Sequence, residues 1–150
     1  MIRLAIALLF LASSVNAQSV GPCGWQTSAQ ALVEPWEQNS AQFANGEVRL
    51  AAIDTVEPAA AAAYLLVLSP PRNELGDRQC RLVGFSDQIG FAAIYFEELT
   101  SDYDPAIGLM FDLPVRIIDL ATSFTNSAIL SLTLNQATGE MTAELALGNE

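Results

Sequence analysis

Leu130-Ser131-Leu132-Thr133-Leu134 and Met141-Thr142-Ala143-Glu144-Leu145 decide the fold class, with Gln136-Ala137-Thr138-Gly139 between them. In each run, apolar and polar residues alternate with a period of two. That spacing puts every apolar side chain on one face of an extended strand. The intervening residues fit a type I turn closed by a glycine in the left-handed region, so the pair reads as an antiparallel hairpin with one buried face.

The same pattern extends toward the N-terminus. Leu109, Phe111, Leu113 and Val115 alternate with Met110, Asp112, Pro114 and Arg116, and the proline suggests an edge strand because it has no N–H for ladder pairing. Gln79 to Phe85 and Phe91 to Phe96 read as strands on either side of a turn at Ser86 to Gly90. Tyr64-Leu65-Leu66-Val67-Leu68 is an apolar strand stopped by Pro70-Pro71. Asn45-Gly46 tolerates positive φ and predicts a hairpin with Phe43 opposite Val48, so that Val48, Leu50 and Ala52 share one face. Ser28 to Val33 and the alanine run 59–63 allow single helical turns, and Pro35 ends the first. About seven or eight strands with almost no helical periodicity predict an all-β domain. An antiparallel β-sandwich and a partly closed barrel both fit.

The first residues carry a different pattern. Arg3 precedes the apolar run Leu4 to Ala12, then a short polar stretch reaches Val15-Asn16-Ala17. This is the layout of a cleavable export signal, so residues 1–17 are expected to be removed, leaving one β domain at 18–150. The run is too short for a bilayer span, which needs about 20 apolar residues, and the later run Ala59 to Leu68 is also too short. Lipid attachment at Cys23 is disfavoured by Pro22 before it. The expected location is therefore extracytoplasmic, periplasmic or extracellular.

Export gives the two cysteines a meaning. Cys23 and Cys80 meet an oxidising compartment and admit one intramolecular pairing. A disulfide closing that loop of roughly 60 residues would contribute about 4 kcal/mol in the chain-entropy account. Redox pairs usually lie close together as C-x-x-C, so a structural bond is expected.

Three stretches carry a resemblance. Phe43-Ala44-Asn45-Gly46-Glu47-Val48-Arg49-Leu50, Leu65-Leu66-Val67-Leu68-Ser69-Pro70-Pro71 and Gly76-Asp77-Arg78-Gln79-Cys80-Arg81 resemble uncharacterised short exported proteins of marine alphaproteobacteria. The resemblance covers most of the chain after the signal. It implies export and a single small domain, and it assigns no functional residue.

Composition narrows the chemistry. The formal net charge is −11. Without Arg3 the balance is five arginines against 17 acids, or 5 − 17 = −12 before termini. Such a chain repels phosphate backbones and anionic lipid, which argues against nucleic-acid partners. It has neither histidine nor lysine. Ser-His-Asp and Cys-His catalysis, most zinc sites and Schiff-base chemistry are thereby excluded, and no nucleotide-binding glycine motif is present.

Carboxylates are the remaining reactive type. Glu97 to Pro105 reads as an acidic loop, and Glu97 to Asp104 within it holds four acids. Glu97, Asp102 and Asp104 are weak calcium candidates there, in a stretch without the glycine and terminal glutamate of an EF-hand. A glycosidase-like pair drawing on Glu97 or Asp112 lacks any sequence feature that would bring two acids together. Trp25, Trp36, Tyr64, Tyr95 and Tyr103 suit a binding groove less well than they suit core and strand-pair positions. Arg72, Arg78 and Arg81 form the one basic cluster and are expected to neutralise nearby acids.

The expected function is a non-catalytic exported β domain that binds or supports another envelope or secreted protein, with no cofactor. A module for a small apolar ligand or for Ca²⁺ is the alternative, and a carboxylate-dependent hydrolase comes third.

Overall fold

A computed structural model describes residues 18–148; the export signal expected at 1–17 lies outside them. Among the described residues, ten strands form two antiparallel five-stranded sheets stacked as a sandwich. The first sheet holds β1 (Ser19–Pro22), β2 (Ser40–Phe43), β3 (Val48–Asp54), β4 (Ala63–Ser69) and β5 (Gln79–Gly84), in the order β1-β5-β4-β3-β2. The second holds β6 (Ala93–Ile94), β7 (Thr100–Asp104), β8 (Gly108–Ile118), β9 (Thr125–Leu134) and β10 (Met141–Leu147). Its order is β10-β9-β8-β6, and β7 also pairs with β8. Short 3₁₀ turns, Ala29–Ala31 among them, are the helical elements of the described residues. None of their helices is long and apolar enough to cross a membrane.

The two hairpins read from sequence are present. Leu134 pairs with Met141 and Phe43 with Val48. In the first, Asn135 Oδ1 accepts from the N–H groups of Ala137 and Thr138 at 3.0 and 3.1 Å, and Gly139 adopts φ +75°. In the second the loop is longer than a two-residue turn, and Ala44, Asn45 and Gly46 all have positive φ.

Val48, Leu50, Ala52, Leu65, Val67 and Val83 face Phe111, Leu113, Val115, Leu130, Leu132 and Leu134 across the sandwich, with Phe91 fully buried among them. Backbone hydrogen bonds also tie the layers together outside the ladders. The Gln18 N–H donates to Ala143 O of β10, and Phe91 and Ala63 exchange backbone hydrogen bonds.

Three local expectations are corrected. The stretch Glu97 to Pro105 is not one acidic loop, because Thr100–Asp104 pairs with Asp112–Gly108 as β7. Only Ala93–Ile94 of the strand expected at Phe91 to Phe96 pairs in the ladder. And β8 is central rather than an edge. Pro114 is accommodated there because its missing N–H faces the break between β6 and β7, where Tyr95 N–H donates to Pro114 O.

The first sheet has an unusual connection. β1 and β2 lie at opposite edges, so residues 23–39 cross its outer face. The crossing segment covers Ala51, Ile53, Tyr64, Leu66 and Leu82, forming a second apolar cluster with Ala31. It is pinned at its start by the Cys23–Cys80 disulfide and by Cys23 N–H to Cys80 O. At its end it is pinned by Val33 N–H to Ala52 O and Ala52 N–H to Asn39 O.

Two outcomes follow. Cys23→Ser with Cys80→Ser frees a span with a sequence separation of 57 and is expected to lower unfolding free energy by about 4 kcal/mol. A guanidinium-denaturation midpoint matching the oxidised wild type would contradict this. Gly139→Val puts a branched residue at positive φ, with its Cβ against Gln79 and Pro71. It is expected to cost about 2 to 3 kcal/mol, read from the same denaturation curves.

Candidate functional site

The acids expected to carry chemistry are kept apart. Asp102 and Asp104 lie two residues apart on β7, and Glu97 sits in the 3₁₀ turn Phe96–Glu98 before it. Asp102 Oδ1 accepts from Tyr103 N–H at 2.8 Å and Asp104 Oδ1 from Ala106 N–H at 2.7 Å. Asp112 accepts from the Ser131 hydroxyl at 2.6 Å on the open face of the second sheet. Among the described residues no three acidic, histidine or cysteine side chains gather to hold a metal ion.

The aromatics divide. Tyr64 is buried, its hydroxyl donates to Gln88 O at 3.3 Å, and burial pushes its pKa up. Trp25 and Trp36 are exposed on the crossing segment and line different depressions. The basic cluster meets its expectation only at Arg72, because Arg78 and Arg81 find carbonyl and amide oxygens rather than acids. Arg72 pairs with Glu47 at 3.1 Å, the Arg78 guanidinium donates to Gly46 O, and Arg81 donates to Gln79 Oε1 and Gly139 O.

Two further features stand out; of their residues, the sequence singles out only Trp36 as a groove candidate, and favours a core or strand-pair position for it. The first is one end of the sandwich. Strand direction brings the β3–β4 and β8–β9 connections to the same end, with the β5–β6 connection between them. Val56, Leu120 and Phe124 are exposed there, at 72%, 67% and 74%.

These side chains are held out by ordered turns. In the β8–β9 loop, Asp119 N–H donates to Phe124 O at 2.8 Å and Ser123, at φ +61°, donates to Asp119 O at 2.7 Å. Hydrogen bonds from the Ala121 N–H and then from the Thr122 side chain hold the Asp119 carboxyl below the usual carboxylate range. In the β3–β4 loop, Val56 has φ +68° and donates its N–H to Asp54 Oδ1 at 2.7 Å. A β-branched residue in the left-handed region costs on the order of 1 to 3 kcal/mol. Asp54, Glu57, Asp87 and Asp119 give this end an acidic rim.

The second feature is a groove on the outer face of the first sheet, beside the crossing segment. Trp36, Val33, Ala51, Leu66 and Leu68 wall it with Arg49, around a volume of about 180 Å³. The wall is braced by Asn39 Nδ2 to Pro35 O at 3.1 Å and the Ser40 hydroxyl to Trp36 O at 2.7 Å. Arg49 Nε is shielded from solvent and has no acceptor. Leaving such a donor unmatched costs about 1 to 3 kcal/mol. Arg49 was legible only as one polar position in the second hairpin.

Comparison with known proteins adds no assignment to this geometry: no family model, no curated protein and no solved structure matches the chain.

Proposed function

We propose that this chain is an exported, non-catalytic β-sandwich that holds a partner protein of the cell envelope at its β3–β4 and β8–β9 end. The observation that carries the reading is the pair of hydrogen-bonded turns presenting Val56, Leu120 and Phe124 to solvent. A turn shaped only for solubility would carry polar residues, and Val56 would be replaced by asparagine or glycine, which tolerate its φ. Strain kept at an exposed apolar side chain points to a use for that side chain.

The rim defines the partner. Acids around apolar tips favour an apolar patch bordered by arginine or lysine. The same acids, on a chain of net charge −11, oppose insertion into anionic lipid. The disulfide and the apolar N-terminal run support an extracytoplasmic site of action, and the lack of histidine and lysine supports a binding role over a catalytic one.

The test replaces Phe124 with a photo-crosslinking phenylalanine analogue in cells making the full chain. One discrete adduct is expected, lost with Leu120→Ser and weakened in envelope extracts at about 0.5 M salt, where surface charges are screened. Adducts no different from those of the analogue at Thr142, on the open face of the second sheet, would overturn the reading.

A second outcome separates strain from stability. Val56→Asn is expected to raise unfolding free energy by about 1 kcal/mol while reducing adduct yield. A variant that is destabilised, or that crosslinks like wild type, counts against a functional origin for the strain.

A further inference from the structure

The described arginines are Arg49, Arg72, Arg78, Arg81 and Arg116. Arg72 has a carboxylate, Arg78 a backbone carbonyl, Arg81 a carbonyl and an amide oxygen, and Arg116 the Thr125 carbonyl. Arg49 alone among them has a side chain with no hydrogen bond and no ion pair. Among the described residues of this acidic chain, none pairs with the one cation set in an apolar groove. Glu34 and Glu37 lie on the crossing segment that walls the groove, yet neither pairs with it.

The surroundings define what would match it. Leu66, Leu68, Ala51 and Val33 offer apolar contact, and the Trp36 ring forms the outer wall. A volume of about 180 Å³ has room for roughly six water-sized groups at about 30 Å³ each. One partly buried guanidinium balances one negative charge and can grip a carboxylate through two parallel N–H donors. A phosphate dianion would keep an unbalanced charge beside leucines, in a protein whose overall field already repels it.

We propose that the Arg49–Trp36 groove binds a small monocarboxylate with a short apolar body, its carboxylate on Arg49 and its chain along Leu66 and Leu68. The groove lies on the outer face of the first sheet, away from the loop end that carries the proposed partner site. Failure of either reading leaves the other standing.

Hexanoate is the probe, titrated into the mature chain carrying Trp25→Phe so that fluorescence reports Trp36 alone. A saturable change is expected, with hexanol and hexylamine at least tenfold weaker than hexanoate. Arg49→Gln is expected to weaken hexanoate at least tenfold, and Arg49→Lys less than that. Circular dichroism checks that each variant folds. Should Arg49→Gln fail to fold, hexanoate against hexanol on the unsubstituted groove decides the matter.

Three results overturn the proposal: no saturable response, hexanol binding as tightly as hexanoate, or a folded Arg49→Gln variant with unchanged affinity. A fourth arm distinguishes sources of the same chemistry. Acetyl-Ala-Leu with a free C-terminus is compared with its amide. If the free acid binds tenfold tighter than hexanoate, the groove is a peptide C-terminus site and the small-molecule assignment is wrong.

Discussion

The chain's first crossing constrains everything built on the first sheet. β1 and β2 occupy opposite edges of the same five strands, so the residues joining them must pass over one face. A covered face has no water for its side chains, and those beneath must be apolar. The crossing segment has almost no ladder of its own, so its backbone must find partners on the sheet. Val33 and Asn39 do this through Ala52, and Cys23 does it through Cys80 with both a covalent bond and a hydrogen bond. The disulfide sits one step beyond the β1–β5 ladder, which ends at Pro22 and Arg81, and holds the start of the long crossing against β5.

This constraint explains a difference between the sheets that is written in the sequence. β8, β9 and β10 alternate because one face packs and the other meets water. β3 and β4 do not: Leu50-Ala51-Ala52-Ile53 and Tyr64-Leu65-Leu66-Val67 are buried on both sides. Continuous apolar runs are what doubly covered strands require. Read with that rule, Tyr64 to Leu68 announces a second layer above the sheet, and residues 23–39 are the chain available to provide it.

The strand pattern, the two hairpins and the cysteine pair were legible because each rests on short-range chemistry: period-two alternation, turn residues and a single possible pairing. What escaped was set at longer range. Thr100–Asp104 looks like a solvated loop because its acids dominate, yet it pairs as an outer strand whose side chains can stay wet. Pro114 implied an edge, and the physics behind that was sound. The edge proved local, a gap of a few residues between β6 and β7 beside a strand that is otherwise central. The groove was invisible for a related reason. Arg49 is one polar position in a hairpin until the crossing segment arrives above it, and only topology brings Trp36 to its side.

The acidity and the exposed apolar turns belong to one physical arrangement. Apolar tips at one end of a β-sandwich invite self-association, as do unpaired edge strands. Here the edges are blunted: β2 is only four residues long, and β10 carries Glu144. A net charge of −11 adds repulsion between copies at any orientation, most strongly where acids ring the tips. The same field that keeps like molecules apart draws in a surface of opposite sign. For the proposed partner site this means selectivity by charge, against another copy of this chain and for a basic-rimmed surface. Arg49 reverses that logic on a small scale. Inside the groove the local charge is positive and the global one negative, so the proposed ligand must be small enough to reach the guanidinium without bringing more than one charge with it.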